Sequence, residues 1–144
     1  MSTEQIRELN RMMVGRLRDG DPMPLVGDTY ELRVVRTRGR ATGEDRPVPL
    51  AVVHRDGRRY LVAPNARRDW VANLDAQPAF RIETGDDAEE VKATRITGRP
   101  AAEVAAAYRK AATGPAQAAF PFGEDATLDD VEAVLDRMAV FEVA

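Results

Sequence analysis

Apolar residues recur at three- and four-residue steps near the start of the chain, where Ile6, Leu9, Met13 and Leu17 form one stripe over residues 3 to 18. That is the period of an amphipathic helix. Thr3 is placed to cap it, and Asp19-Gly20-Asp21-Pro22 ends it, because glycine and proline both interrupt a helix. A loop holding Pro24 and Gly27 follows. The pattern then changes to short alternating runs that fit strands. Tyr30 to Thr37 sets Leu32 and Val34 against Arg33 and Val35 across the pleat, Pro47 to Arg55 makes a second strand, and Asp56-Gly57 returns the chain into a third, Arg59 to Ala63. An Asp-Gly pair between such runs is a strong tight-hairpin signal. Pro64 and Asn65 break the third strand, and residues 66 to 76 carry Trp70, Asn73 and Leu74 at helical spacing before Gln77-Pro78. Another hairpin joins Ala79 to Thr84 with Glu90 to Thr97 through Gly85-Asp86-Asp87, offering Ile82, Val91, Ala93 and Ile96 to a core. An alanine-rich helix from Arg99 to Ala112, a looser segment from Thr113 to Asp125, a helix capped by Thr127 and running through Met138, and a sixth strand, Ala139 to Val143, complete the chain.

Strands joined by tight turns, without regular strand and helix alternation, specify an antiparallel barrel with peripheral helices. The expected class is α+β, mainly β, with about six strands. The N-terminal helix covers about 3–18 and the barrel about 30–97 and 139–143. A chain of 144 residues fits one domain with a core of ordinary size. Gly39 and Gly43 match neither a dinucleotide fingerprint nor a phosphate loop, which disfavours a doubly wound parallel sheet. No apolar run approaches the ~20 residues of a transmembrane segment. The start, Met1-Ser2-Thr3-Glu4-Gln5, has neither the basic nor the apolar block of a signal peptide, so a cytoplasmic location is expected.

Charge changes this picture locally. The chain carries net charge −3, yet between Arg33 and Arg68 there are ten arginines against three acids, Glu44, Asp45 and Asp56. A cation field inside an acidic protein suits a small anionic ligand. In the turn from Thr37 to Arg46, two glycines let backbone approach a ligand, Thr37 and Thr42 offer hydroxyls, and Arg40 and Arg46 supply forked cations suited to phosphate or carboxylate. The handover from Ala63 to a helix near Asn65 to Asp69 offers backbone N–H groups to an anion, beside Arg67 and Arg68. Pairing through Asp56-Gly57 sets the Arg46 and Pro64 ends side by side. With a negative net charge and only Trp70 and Tyr60 among the basic residues, a nucleic-acid partner is not expected.

The chain has one His (His54), one Ser (Ser2) and no Cys. Serine and cysteine triads cannot be assembled, and a zinc site would rest on carboxylates and one imidazole, so no metal is expected. Hard chemistry, if present, belongs to a bound cofactor. Trp70 reads as a core anchor, His54 as a hydrogen-bonded strand residue in phase with Leu50 and Val52, and the acidic groups 86–90 and 129–132 as solvated surface. Phe120-Pro121-Phe122 is open between lining a pocket and pinning a loop.

Together these motifs resemble the deazaflavin-dependent nitroreductase family, actinobacterial members of the flavin-binding split β-barrel superfamily. The likeness rests on Thr37, Gly39, Arg40, Thr42, Gly43, Arg46, Pro49 and Leu50, then on Val62, Ala63, Pro64, Trp70, Asn73 and Leu74. It implies a split barrel that binds coenzyme F-420, an 8-hydroxy-5-deazaflavin with an anionic phosphate and oligoglutamate tail. Arg40, Thr42 and Arg46 would meet the phosphate and tail, and backbone from Val62 through Ala63 and Pro64 to Asn65, with Arg67 or Arg68, would flank the ring. Thr37, Gly39 and Trp70 complete the implied cofactor-binding set. The implied reaction is hydride transfer to a small electron-poor acceptor: a quinone, a nitro compound or an activated alkene. No nucleophile is needed, and no catalytic acid is named. Family members often carry Lys where this chain has Ala41, and tyrosines in a C-terminal third that here holds only Tyr108. Two alternatives stay open: a non-catalytic split barrel holding a cofactor, haem or lipid, and a flavin mononucleotide (FMN) enzyme. Split barrels often pair, so a homodimer is an expected partner arrangement.

Overall fold

The computed structural model describes residues 2–19 and 29–144. The expected helix stop at Gly20-Asp21-Pro22 and the loop with Pro24 and Gly27 lie outside these residues. Helix α1 spans Thr3–Asp19, followed by strands β1 (Tyr30–Arg38), β2 (Asp45–Arg55) and β3 (Arg58–Ala63), helix α2 (Asp69–Ala76), and strands β4 (Ala79–Glu83) and β5 (Ala88–Ile96). Helices α3 (Gly98–Ala111), α4 (Pro115–Ala118) and α5 (Leu128–Ala133) and a 3₁₀ turn, Leu135–Arg137, precede β6 (Ala139–Val143). The strands close a barrel in the order β1-β2-β3-β6-β5-β4, every pairing antiparallel. This is the mainly β architecture that the alternating runs specify. Among the described residues no helix is long and apolar enough to cross a membrane.

Neighbouring residues of a strand face opposite sides, and here both sides are covered. Val35, Val52, Leu61, Phe80, Ile82, Val91 and Phe141 fill the barrel interior, while Val53, Tyr60, Val62 and Val140 pack outward beneath α3 and α5. The alanines explain the close approach of α3: Ala101, Ala102 and Ala105 are fully buried, with no side chain to hold the helix away. Of the residues expected to offer core faces, Val91 and Ala93 join the interior and Ile96 packs against the outer cluster. It is out of phase with them by one residue, so the pleat turns it to the other face.

Two helices differ from the sequence reading for local reasons. The expected single helix to Met138 stops at Ala133 and tightens into the 3₁₀ turn. That turn delivers Met138, 1% exposed, into the outer core and starts β6 in register with β3. Its start is as expected: Asp130 N–H donates to Thr127 Oγ1 (3.2 Å) and Thr127 N–H to Asp130 Oδ2 (2.9 Å), a capping box. In α1 the buried stripe is rotated, with Val14 buried and Leu9 43% exposed. At ~100° per residue Leu9 lies about 60° to one side of Ile6 and Val14 about 80° to the other, and the outer face of β1 and β2 takes the Val14 side. Phe120 and Phe122 pin a loop: Phe120 is buried, and edge contacts link Tyr30, Tyr108, Phe120 and Phe122 in series. Burial pushes the Tyr108 hydroxyl up to about 12.

The C-terminal end of α1 is fixed by charge. The Glu83 carboxylate, 8% exposed, accepts from Arg18 Nη2 (2.7 Å) and Arg36 Nε (2.7 Å). Hydrogen bonding from Arg18 is the largest influence, burial opposes it and Arg36 reinforces it, so the carboxyl titrates below the ordinary glutamate range. The unfolded chain then takes up this proton first as pH falls. The stabilisation is complete above the unfolded value of ~4.3 and is lost as pH drops through the lower folded value. Glu83→Gln should cost about 1–3 kcal/mol at neutral pH and flatten the acid limb of a stability–pH curve. Urea unfolding of both proteins between pH 3 and 7 measures it.

Candidate functional site

Strand β2 pairs with the whole length of β1, from Val53–Tyr30 to Asp45–Arg38. Against β3 it makes only three pairs, Val53–Tyr60, His54–Arg59 and Arg55–Arg58. Beyond Tyr60 the two strands separate, although β3 continues to pair with β6 as far as Ala63. Prolines keep the ladder from re-forming farther along. His54 N–H donates to Thr29 O, so along β2 the even-numbered N–H groups point to the β1 side and the odd-numbered ones toward β3. Pro47 and Pro49 are both odd, and proline has no N–H. Carried onward, the hairpin register would set Pro49 opposite Pro64 and Pro47 opposite Ala66, so past the end of β3 the β2 edge lacks two donors. The Arg46 and Pro64 ends are accordingly not ladder neighbours, as the hairpin argument assumed.

They meet instead through α2, which closes the same end of the barrel. Trp70, Val71 and Leu74 enter the interior core, with Trp70 tilted against Phe141 at 6.0 Å between centroids. Arg95 Nη1 donates to Asp75 (2.9 Å) and secures the far end of the helix. On the side facing the Gly39–Gly43 turn, buried Asn73 takes Arg40 N–H (3.2 Å) and Arg40 Nη1 (3.0 Å) on its Oδ1 and donates from Nδ2 to Thr37 Oγ1 (3.2 Å). Arg40 also approaches Asp69, with Nη1 3.5 Å from its carbonyl and Nη2 3.7 Å from its carboxylate. Arg40 is thus tied to Asp69, which lies five residues past Pro64 in the chain.

The turn itself is tight. Gly39 N–H donates to Glu44 O (2.8 Å), Gly43 N–H to Gly39 O (2.7 Å), and Gly43 has φ +72°. A Cβ on buried Gly39 would stand 3.1 Å from Arg46 Nε and 3.1 Å from Thr42 Oγ1, so glycine there lets the Arg46 guanidinium lie across the turn. Arg46, 54% exposed, has Glu44 at 3.5 Å, and Arg40 is 48% exposed.

The remaining expected residues divide by exposure. Thr42, Asn65, Arg67 and Arg68 are exposed and Pro64 is half-buried at the mouth. Thr37 is fully buried and its hydroxyl is spent on Asn73 and, at 3.5 Å, the Arg46 carbonyl, so it offers nothing to a ligand. Val62 and Ala63 point into the outer and inner cores, and Trp70 is 8% exposed; any ligand contact from this stretch of β3 is through backbone. The handover N–H groups are also less free than expected. Ala66 donates to Arg137 O (2.9 Å), Arg67 to Asn65 Oδ1 (2.9 Å) and Arg68 to Asn65 O (3.3 Å). Helix α2 starts at Asp69 rather than 66 because this asparagine turn precedes it. In the sequence Asn73 was visible as an amide on an apolar helix face, in step with Trp70 and Leu74, and as one of the residues that carry the family resemblance.

The opposite barrel end is polar and internally satisfied. Glu31 takes Arg33 (3.2 Å) and His54 Nε2 (3.4 Å), and Arg59 pairs with Glu89 through two 2.8 Å bonds. Eight residues of strand separate Arg46 from His54, roughly 26 Å. An open depression of ≈ 330 Å³ on the outer surface is lined by Arg36 and Arg81 with Asp86, Asp87 and Glu90. Three carboxylates make it unsuited to a polyanion, and it shares no residue with the mouth. Among the described residues no group of acids and histidine could hold a metal ion.

Comparison with known proteins agrees with this architecture. The family model described as "F420H(2)-dependent quinone reductase" matches residues 7–119. A solved F420-H2 dependent reductase (FDR-A) is similar over 78% of this chain and 93% of its own, with 23% identity and TM-score 0.54. A structure described as a domain-swapped dimer matches 98% of this chain and 94% of its own, at 19% identity and TM-score 0.57. A heme binding protein from Mycobacterium smegmatis matches 82% of this chain and 47% of its own, at 15% identity and TM-score 0.53. These likenesses show the split-barrel fold. No curated protein sequence matches the chain significantly. With most of its length matched by the family model, the chain belongs to the F420H(2)-dependent quinone reductase family, oxidoreductases that use coenzyme F-420.

Proposed function

We propose that the barrel mouth bounded by the Gly39–Gly43 turn, the unpaired edge of β3 and the first turn of α2 holds coenzyme F-420, and that the protein reduces a quinone or another electron-poor acceptor there. The observation that carries this reading is the convergence of Arg40 and Arg46, both about half exposed, on the opening beside α2. The donor set suits the group: forked guanidiniums match phosphate and carboxylate oxygens, and the free β3 edge can meet a planar heterocycle through backbone polar groups. Arg40, Thr42 and Arg46 would hold the phosphate and tail, with Arg67 and Arg68 adding positive charge across the mouth. Pro64, Asn65 and the backbone of Val62 and Ala63 would border the ring. Thr37, Gly39 and Trp70 act one layer back, by shaping the turn and anchoring α2.

When bound, the reduced coenzyme would supply the hydride, and water or another donor would complete protonation of the acceptor. This matches a chain with one His held about 26 Å away along β2 and no Cys. The same distance argues against haem, whose commonest protein ligand would be that His54, already paired with Glu31. FMN lacks the long anionic tail that two separate arginines serve.

Stopped-flow oxidation of reduced coenzyme with menadione, a nitroaromatic and an activated alkene tests the acceptor. Enzyme-dependent oxidation with menadione fastest is the expected result. Tight binding without turnover on any of the three would assign a binding protein instead. The domain-swapped relative motivates a homodimer, which sedimentation equilibrium would reveal as twice the 15.9 kDa chain mass.

A further inference from the structure

We infer that Asn73 is a positioning residue that aims the Arg40 guanidinium into the barrel mouth while leaving its positive charge available to an anion; this rests on the coenzyme reading above. Three buried polar or charged side chains are recorded among the described residues, Thr37, Asn73 and Glu83. Glu83 is explained by its two arginines. Thr37 and Asn73 bond to each other, and their remaining partners all belong to the turn and β2: Arg40 N, Arg40 Nη1 and the Arg46 carbonyl. The amide orientation follows from these partners, because a flip would set the NH₂ group against two donors of Arg40. One oxygen atom thus clamps both the backbone and the far end of the same arginine.

The neutrality of that oxygen matters. An aspartate in its place would make the same two contacts but would neutralise the guanidinium at short range in a buried setting, where charges are poorly screened. The other acid near Arg40, Asp69, is 64% exposed and 3.7 Å away, so water and salt weaken its hold. An amide therefore fixes Arg40 without consuming the charge, which a purely structural clamp would not require. Arg46 is fixed by a parallel route, through Thr37 and the closely packed Gly39.

The test compares wild type, Asn73→Ala, Asn73→Asp, Arg40→Ala and the Asn73→Ala/Arg40→Ala double variant. Two readouts are used: coenzyme F-420 affinity by fluorescence quenching, and amide hydrogen exchange at Arg40 in ligand-free protein. Asn73→Ala should speed Arg40 exchange by about tenfold or more, the loss of one buried acceptor, and raise Kd on the order of tenfold. The double variant should bind no worse than the weaker single variant. Asn73→Asp should keep Arg40 protected and the unfolding midpoint near wild type, yet raise Kd on the order of tenfold, a loss that shrinks as salt rises. This pattern also decides the matter if Asn73→Ala does not fold. Unchanged Arg40 exchange in Asn73→Ala, additive losses in the double variant, or wild-type affinity in Asn73→Asp would overturn the inference. If wild type fails to bind the coenzyme while Asn73→Ala still loosens Arg40, the clamp stands and the coenzyme reading falls.

Discussion

Removing both guanidiniums of the turn, Arg40→Ala with Arg46→Ala, should weaken coenzyme F-420 binding by about 3–6 kcal/mol, from two charge-assisted contacts of about 1.5–3 kcal/mol each. That is a loss of more than about a hundredfold in affinity. Stability should hardly change. Of the partners given up in the free protein, Asp69 and Glu44 are 64% and 70% exposed, and exposed pairs are worth at most about 1 kcal/mol; buried Asn73 Oδ1 loses Arg40 Nη1 but keeps the backbone N–H of residue 40. Fluorescence titration at two salt concentrations, with urea unfolding as the control, separates the two quantities. Affinity within about threefold of wild type would place the anionic tail elsewhere.

Trp70→Ala should destabilise the fold by about 3–5 kcal/mol, the range for deleting a large buried aromatic. Trp70 is 8% exposed, shares the interior core with Leu74 and Phe80, and meets Phe141. It is the anchor that seats α2 across the barrel end, so its loss also loosens the helix that carries Asn73. Coenzyme affinity should fall with stability, in contrast to the double arginine variant. Because Trp70 is the only Trp, far-ultraviolet circular dichroism is the appropriate probe of urea unfolding. A cost below about 1 kcal/mol would mean that the core closes over the gap and that the helix does not depend on this residue.

Local chemistry was readable where one short motif decides the structure. Asp56 and Gly57 adopt the left-handed values, φ 51° and 75°, that a two-residue hairpin needs. Thr127 and Asp130 form the capping box their spacing announces. What escaped the one-dimensional pattern depends on partners distant in sequence. Leu9 and Val14 are equally apolar, and only the sheet beneath α1 chooses between them. The helix to Met138 is periodic throughout, yet β6 must enter beside β3, and that constraint breaks it.

The site shows the same division. Arg40, Arg46 and Gly39 were legible as a tight arginine-bearing turn, and both guanidiniums stand about half exposed on it. The opening beside them was not, since a hairpin with eleven- and six-residue strands reads as fully paired. Pro47 and Pro49 bar the ladder only past the end of β3, and even that has meaning only once β1 is known to take the even-numbered donors. Thr37 and Trp70 belong to the site's support rather than its surface, because burial, which composition does not give, decides between the two.

The location of the coenzyme is tested most directly by amide chemical-shift mapping of the ¹⁵N-labelled protein on addition of oxidised coenzyme F-420. The largest perturbations should fall on residues 39–46 and 63–69 and on Asn73, with the Glu31, His54 and Arg59 end and the Tyr108 to Phe122 cluster unmoved. Perturbations concentrated at that opposite end, or saturable binding that leaves the Gly39–Gly43 turn unshifted, would contradict the account.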